Sequence, residues 1–320
     1  MAAPPTPGLL PDLADLIRLQ HGARGFSFRA GQAVRALLPG RRASRIRGRG
    51  LSFEEIRAYR PGDDLRQMDW RATARTGRPQ SRIFTEERDR PVFLVVDLSP
   101  AMFFGSRTAT KVTRAAEVVA LAAWRCLAAG DRVGAVLFSS DTVREIRPAR
   151  SRAAVMQILQ SVLALAARLP AMPTAPSGPA ALNKALQHTA TLAPHDALIL
   201  LVVDLFAADA GTRAALDRLR RHNELMVIPV SDPLEAELPA PPWRGLADDG
   251  SGPALLDPAA SNLGQRVRTG VAARLEALCG AGRRHAVPVL PIGTDAEPAA
   301  QLRRQMGQRR TATGGGGRAP

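Results

Sequence analysis

PVFLVVDLSPAMFFGS, residues 91–106, runs through the large apolar side chains Val92, Phe93, Leu94, Val95 and Val96 straight into Asp97 and a loop rich in Ser and Gly. A half-solvated antiparallel strand alternates apolar with polar residues, whereas a parallel strand covered on both faces does not. The run therefore reads as a buried parallel strand ending in a carboxylate. A helical pattern follows from Lys111 to Ala129. Strand, short loop and helix form the first half of a βαβ crossover, and open sheets of that kind bind ligands beyond the carboxyl ends of their strands. Asp97 and Ser99 stand at that place.

The same theme recurs downstream. DRVGAVLFSS (131–140) is a second apolar strand, and TVREIRP (142–148) is its hairpin partner. Ser151 is placed to cap a helix running to about Leu169, and after the Pro-rich loop 170–179 another helix covers about Ala180 to Leu192. DALILLVVDLF (196–206) then repeats the opening pattern and ends in Asp204. A helix over 212–222, a strand over 225–230, a loop VSDPLEAELPAPPWRG, an edge strand around Leu255 and Leu256 and a helix over 261–281 complete the pattern. VPVLPIG (287–293) holds two prolines, which confine it to a sheet edge, and 298–306 is the last helix before a disordered tail at 307–320. Strands alternating with helices predict an α/β fold with a mostly parallel sheet and helices on both faces. Asp97 and Asp204 should then share one crevice, provided that their strands are neighbours.

Residues 1–49 read as a basic N-terminal arm with a short helix over Leu10–Gln20; from Arg18 to Arg49 there are nine arginines and no acid. Its densest part, RRASRIRGRG (41–50), reads as a solvated arm or, alternatively, as a binder of nucleic acid or another polyanion. Residues 50–90 have a different character, with charges of both signs around Phe53, Tyr59, Trp70 and Phe84 and a Pro61-Gly62 turn. Such a stretch is too poor in aliphatics to fold alone and is expected to pack, as a small polar, β-rich or irregular module, on the main domain at 91–306. Asp69 lies within sequence reach of Arg66, Arg71 and Arg75, which suggests a buried carboxylate–arginine network with Trp70 as its apolar anchor. Arg60, Asp63 and Asp64 belong to the same candidate interaction or structural network.

Composition narrows the function classes. The chain has 320 residues, 45% of them hydrophobic, enough for a sizeable core and too many for a disordered protein. Its net charge of +15 comes almost wholly from arginine, since Lys111 and Lys184 are the only lysines. That bias fits an Arg-, Ala- and Gly-rich genome as well as it fits nucleic-acid binding, which is disfavoured. Cys126 and Cys279 stand far apart with no metal-ligand spacing and read as buried thiols. The N-terminus lacks the pattern of a signal peptide and no uncharged apolar run reaches ~18 residues, so a soluble cytoplasmic protein is expected.

DLSPAM after a buried strand resembles the D-x-S-x-S start of a von Willebrand factor A domain. GLSFEEIRAYRPGDDLRQMDWRATARTGRPQSRIFTEER, with DPLE downstream, is more specific and resembles the bacterial domain of unknown function fifty-eight. That family is von Willebrand factor A-like and associated with MoxR-type AAA+ ATPases. The resemblance, over about 48–306, implies a non-enzymatic adaptor or substrate-recognition partner of such an ATPase, acting on an unknown client protein. It also implies a metal-ion-dependent adhesion site, here degenerate. Asp97, Ser99 and Asp204 match ligand positions, but Ala101 and Ala180 stand where hydroxyls are expected, with Thr174 or Ser177 as possible substitutes. Mg²⁺ or Mn²⁺ is thus expected to bind weakly if at all. An unrecognised hydrolase is the third reading: Ser99 lacks the glycines of G-x-S-x-G, and the five histidines show no catalytic spacing.

Overall fold

The computed structural model describes residues 9–28, 51–59, 68–86, 90–171, 179–236, 238, 243–248, 253–256, 263–279 and 287–306. In chain order its elements are α1 (Leu13–Gly22), β1 (Leu51–Ala58), α2 (Trp70–Thr76), β2 (Gln80–Glu86), β3 (Pro91–Asp97), α3 (Lys111–Ala128), β4 (Arg132–Phe138) and β5 (Val143–Ala149). There follow α4 (Arg152–Ala166), α5 (Pro179–Leu192), β6 (Leu198–Asp204), α6 (Ala210–Leu219), β7 (Glu224–Ser231), α7 (Pro233–Ala236), β8 (Gly245–Asp248), β9 (Pro253–Leu256), α8 (Leu263–Cys279), β10 (Ile292–Gly293) and α9 (Pro298–Met306).

Six strands form one sheet in the order β10-β7-β6-β3-β4-β5, parallel except for β5, which closes a hairpin on β4. The unbroken apolar run of β3 is explained by its two covers. Val92, Leu94 and Val96 face a core completed by α1, α3, α4 and α9. Phe93 and Val95 face the opposite core, built with α5, α6 and α8. The architecture is Rossmann-like, a mostly parallel sheet with helices on both faces. Ser151 caps α4 by accepting from Ala154 N at 3.1 Å, and Thr110 caps α3 in the same manner. By length and composition Arg152–Ala171 could cross a membrane, but Val155, Ile158, Leu159 and Val162 lie buried in the first core. That is the pattern of a core helix.

The chain divides into two compact units, Gly40–Asp89 and the rest. In the smaller one β1 pairs antiparallel with β2, and α2 leads into β2. Three expectations need correction. The described part of the supposed arm, residues 9–28, belongs to the α/β core: Leu16, Ala23, Phe26 and Phe28 are buried there. Trp124 Nε1 donates to Leu16 O at 3.1 Å, and Arg125 Nε donates to Phe26 O at 2.5 Å. Leu255 and Leu256 do not edge the main sheet but pair with Gly245 and Leu246 in a separate hairpin, β8–β9. The supposed loop after β7 opens with the short helix α7. The proline-bearing segment 287–293 does sit at the sheet edge, as β10 beside β7. The Arg-rich stretch 41–50, Thr174, Ser177, the tail 307–320 and the side chain of Cys279 lie outside the described residues, while Cys126 is a buried thiol.

Candidate functional site at the strand ends

β3 and β6 are neighbours in parallel register, so Asp97 and Asp204 do end side by side. This is where the strand order reverses, with β4 on one side of β3 and β6 on the other. Crevices at such reversals are the usual ligand sites of open sheets. The crevice here is filled from within. Asp97, Ser99 and Asp204 are 0%, 1% and 2% exposed. Asp97 Oδ1 accepts from Ser99 N at 2.9 Å, and its Oδ2 faces Asp204 N at 3.4 Å. Burial pushes the Asp97 pKa up to about 6; the Ser99 hydroxyl opposes that shift and the nearby Asp204 carboxylate adds to it.

Lys111, the first residue of α3, is 1% exposed and sends its ammonium into this crevice. Nζ lies 3.1 Å from Asp204 Oδ1 and 2.5 Å from Glu235 Oε1, and 5.7 Å from the centre of the Phe104 ring. A cation at a helix N-terminus opposes the helix dipole, so its placement must be offset by specific partners. Burial disfavours the ammonium, but the two carboxylates outweigh burial and hold the Lys111 pKa above its ordinary value.

Glu235 reaches the crevice because α7 is capped reciprocally. Asp232 Oδ1 accepts from Leu234 N at 2.9 Å, Glu235 Oε2 accepts from Asp232 N at 2.9 Å, and Pro233 fills the first helical position. Asp232 ties in two further loops: its carboxylate accepts from Ser106 Oγ and from Thr294 Oγ1, each at 2.5 Å. These bonds hold the Asp232 carboxyl below its usual range although burial opposes them. Arg114 Nε and Thr108 Oγ1 both donate to Thr294 O, at 3.2 Å and 2.8 Å. The loop after β3 is also closed on itself, since a Cβ at Gly105 would stand 2.3 Å from Ala109 O. No other residue fits there without moving backbone.

Mg²⁺ holds near-octahedral oxygen geometry and keeps several waters, so it needs both open oxygens and room. The donors here are buried, Asp97 is turned to backbone amides, and Asp204 already holds an ammonium. Unit charges 4 Å apart repel by about 4 kcal/mol at an effective dielectric of 20, and a divalent ion beside Lys111 would feel twice that. The described residues of the crevice do not fit a divalent cation. Ala101 supplies no side-chain oxygen, and Ala180 is an exposed residue of α5. One turn on, Asn183 binds Asp209 and Thr212, not the crevice. Among the described residues no group of three His, Cys, Asp or Glu side chains is placed to hold a metal.

In the smaller unit Asp69 is 6% exposed and caps α2, accepting from Arg71 N at 3.0 Å and Ala72 N at 2.9 Å. The expected network is corrected in two respects. The guanidinium groups of Arg71 and Arg75 are exposed rather than folded onto Asp69, and Trp70, expected as a buried anchor, is 69% exposed. Arg60, Asp63, Asp64 and Arg66 lie outside the described residues. The sequence reading overlooked Lys111, Glu235 and Asp232 as site residues. A signal was there: D-P-L-E has the spacing of a capping box with proline at its first helical position.

The family profile described as "Protein of unknown function DUF58" matches residues 55–276. Uncharacterized proteins of Mycobacterium tuberculosis (strain H37Rv) and Mycobacterium bovis are each 28% identical over 313 residues, 95% of this chain and 94% of theirs. Among solved structures, the crystal structure of the conserved hypothetical protein BatB from Bacteroides thetaiotaomicron aligns with a TM-score of 0.41 and 13% identity, covering 68% of this chain and 97% of that one. With a family match across most of its length, the chain belongs to the DUF58 protein family.

Proposed function

We propose that the chain is a non-enzymatic protein-interaction module, a von Willebrand factor A-like adaptor or substrate-recognition partner of a MoxR-type AAA+ ATPase in the cytoplasm. The observation that carries the non-enzymatic reading is the burial of the strand-end groups. Asp97, Ser99, Lys111 and Asp204 are each 2% exposed or less, so a substrate cannot touch them, and Glu235, the half-buried acid that also reaches the crevice, is held by Lys111. A general acid or base has to come within about 3 Å of its proton, directly or through one water. What the network does is fasten the loops after β3, β6, β7 and β10 into one rigid rim, on which a partner can dock. The ATPase as partner follows from the motifs RPGDD, MDWRATAR and DPLE and the family resemblance they carry. The test is co-purification of the tagged full chain with the MoxR-type ATPase of the same genome, with ATP turnover measured with and without the chain. Retention with altered turnover supports the proposal; no retention under either nucleotide state overturns it.

A further inference from the structure

Helix α2 is fastened from behind and bare in front. On its rear side Ala72 is buried, Asp69 N donates to Gln80 O at 2.8 Å, and Gln80 N donates to Thr73 Oγ1 at 2.9 Å. Asp69 caps its start, and Gly77, at φ 66°, ends it in the left-handed conformation that favours glycine. The helix is short, and an isolated helix of its length would not persist in water. Its caps and its bonds to β2 therefore set the direction of its front face.

That face carries Trp70, Arg71, Ala74 and Arg75, with Arg78 just beyond the cap, all exposed. Among the described residues none of the three guanidinium groups makes an ion pair or side-chain hydrogen bond. Their arrangement is locally unfavourable: Arg71 and Arg75 are like charges one helical turn apart, and Arg71 in the first turn opposes the helix dipole. The nearest carboxylate in sequence, Asp69, is consumed by the cap. An exposed indole beside unpaired arginines has the composition of a binding hot spot, since Trp and Arg dominate such sites.

We propose that this face of α2 is a docking surface for an extended acidic segment of a partner protein, with the Trp70 indole packing on an apolar residue of that segment and Arg71, Arg75 and Arg78 taking its carboxylates. Charge complementarity fixes the sign of the occupant. The single indole favours protein over single-stranded nucleic acid, because such strands are held on several aromatic platforms in series. The inference rests on the interaction-module reading above, and it names a surface for it.

The full chain, labelled with ¹⁵N at tryptophan, gives separate indole signals for Trp70, Trp124 and Trp243. It is titrated with a short peptide of alternating Glu and Leu, with the peptide carrying Lys in place of Glu, and with a short oligothymidylate. The acidic peptide should shift the Trp70 signal alone, and its affinity, followed by the fluorescence anisotropy of the dye-labelled peptide, should weaken roughly tenfold or more in Trp70→Ala. Arg71→Glu with Arg75→Glu should reverse the preference toward the Lys peptide, while the Trp124 signal, from an indole only 3% exposed, reports that the α/β core is intact. A Trp70 shift with oligothymidylate and none with the acidic peptide would overturn the proposal in favour of nucleic acid. No shift with any probe would overturn it outright. If the acidic peptide binds at Trp70 while the ATPase is not retained, the surface stands and the choice of ATPase falls.

Discussion

Replacing Lys111 by methionine would keep most of the side chain's bulk while stripping the ammonium from two carboxylates, one of them almost fully buried. Breaking a buried pair by removing one partner typically costs about 3–5 kcal/mol, because the remaining charge is left uncompensated. Chemical denaturation of Lys111→Met against the parent should show a loss of that order. Asp97 makes the second prediction at this scale. In the folded chain its pKa is about 6 against the ordinary 3.8 of an aspartate in the unfolded chain, so the folded state holds the proton more tightly. Its contribution to stability is complete below the lower value and declines as pH rises toward the upper one, by on the order of 3 kcal/mol in total. Asp97→Asn cannot ionise and keeps an oxygen for Ser99 N. Denaturation midpoints between about pH 4 and pH 7 should therefore fall less steeply in the variant than in the parent. Asp97 and Asp204 were legible from sequence because each ends an apolar strand, and strand ends converge by topology alone. Lys111 was not: its partners lie at 204 and 235, and a lysine at a helix start looks like any solvated one.

At the scale of elements, α1 carries the clearest expectation. Leu16 is buried against α3 and its carbonyl receives the Trp124 indole N–H. Leu16→Ala should cost about 2–5 kcal/mol, the range for a leucine lost from a packed core, and removing residues 9–28 should cost more. Had the segment been a solvated arm, both changes would lie within about 0.5 kcal/mol. Differential scanning calorimetry of the two variants distinguishes these outcomes. The sequence suggests a short helix over Leu10–Gln20, and the observed α1 begins three residues after Leu10. What was hidden is its partner, since the groups that receive it, Trp124, Arg125 and Arg303, lie more than ninety residues away. Arg18 and Arg24, the described arginines of that segment, are exposed, and long charged side chains say little about the apolar residues between them. The β8–β9 hairpin was missed for a related reason: its apolar run could be read, but which edge it would meet could not.

Across the whole molecule, sequence periodicity was enough for the α/β class and the two prolines of 287–293 for the edge position of β10, whereas β6 beside β3 is supplied by the structure alone. The crevice lies where the strand ends place it, and it holds Lys111 and Glu235, which the sequence did not mark. A family resemblance implied a degenerate metal site, whereas in the structure the chain's own ammonium pairs with Asp204, one of the two aspartates a metal would use, and with Glu235. Sequence could not show this, because the substitution is spatial: the hydroxyls missing at Ala101 and Ala180 are legible as gaps, but Lys111 arrives from a different part of the motif. The account stands on that substitution, and calorimetric titration of Mn²⁺ into the purified chain tests it most directly. It predicts no saturable binding below about millimolar, because the donors are few and Asp204 already holds Lys111. Saturable binding at micromolar concentration, abolished by Asp204→Asn, would contradict it.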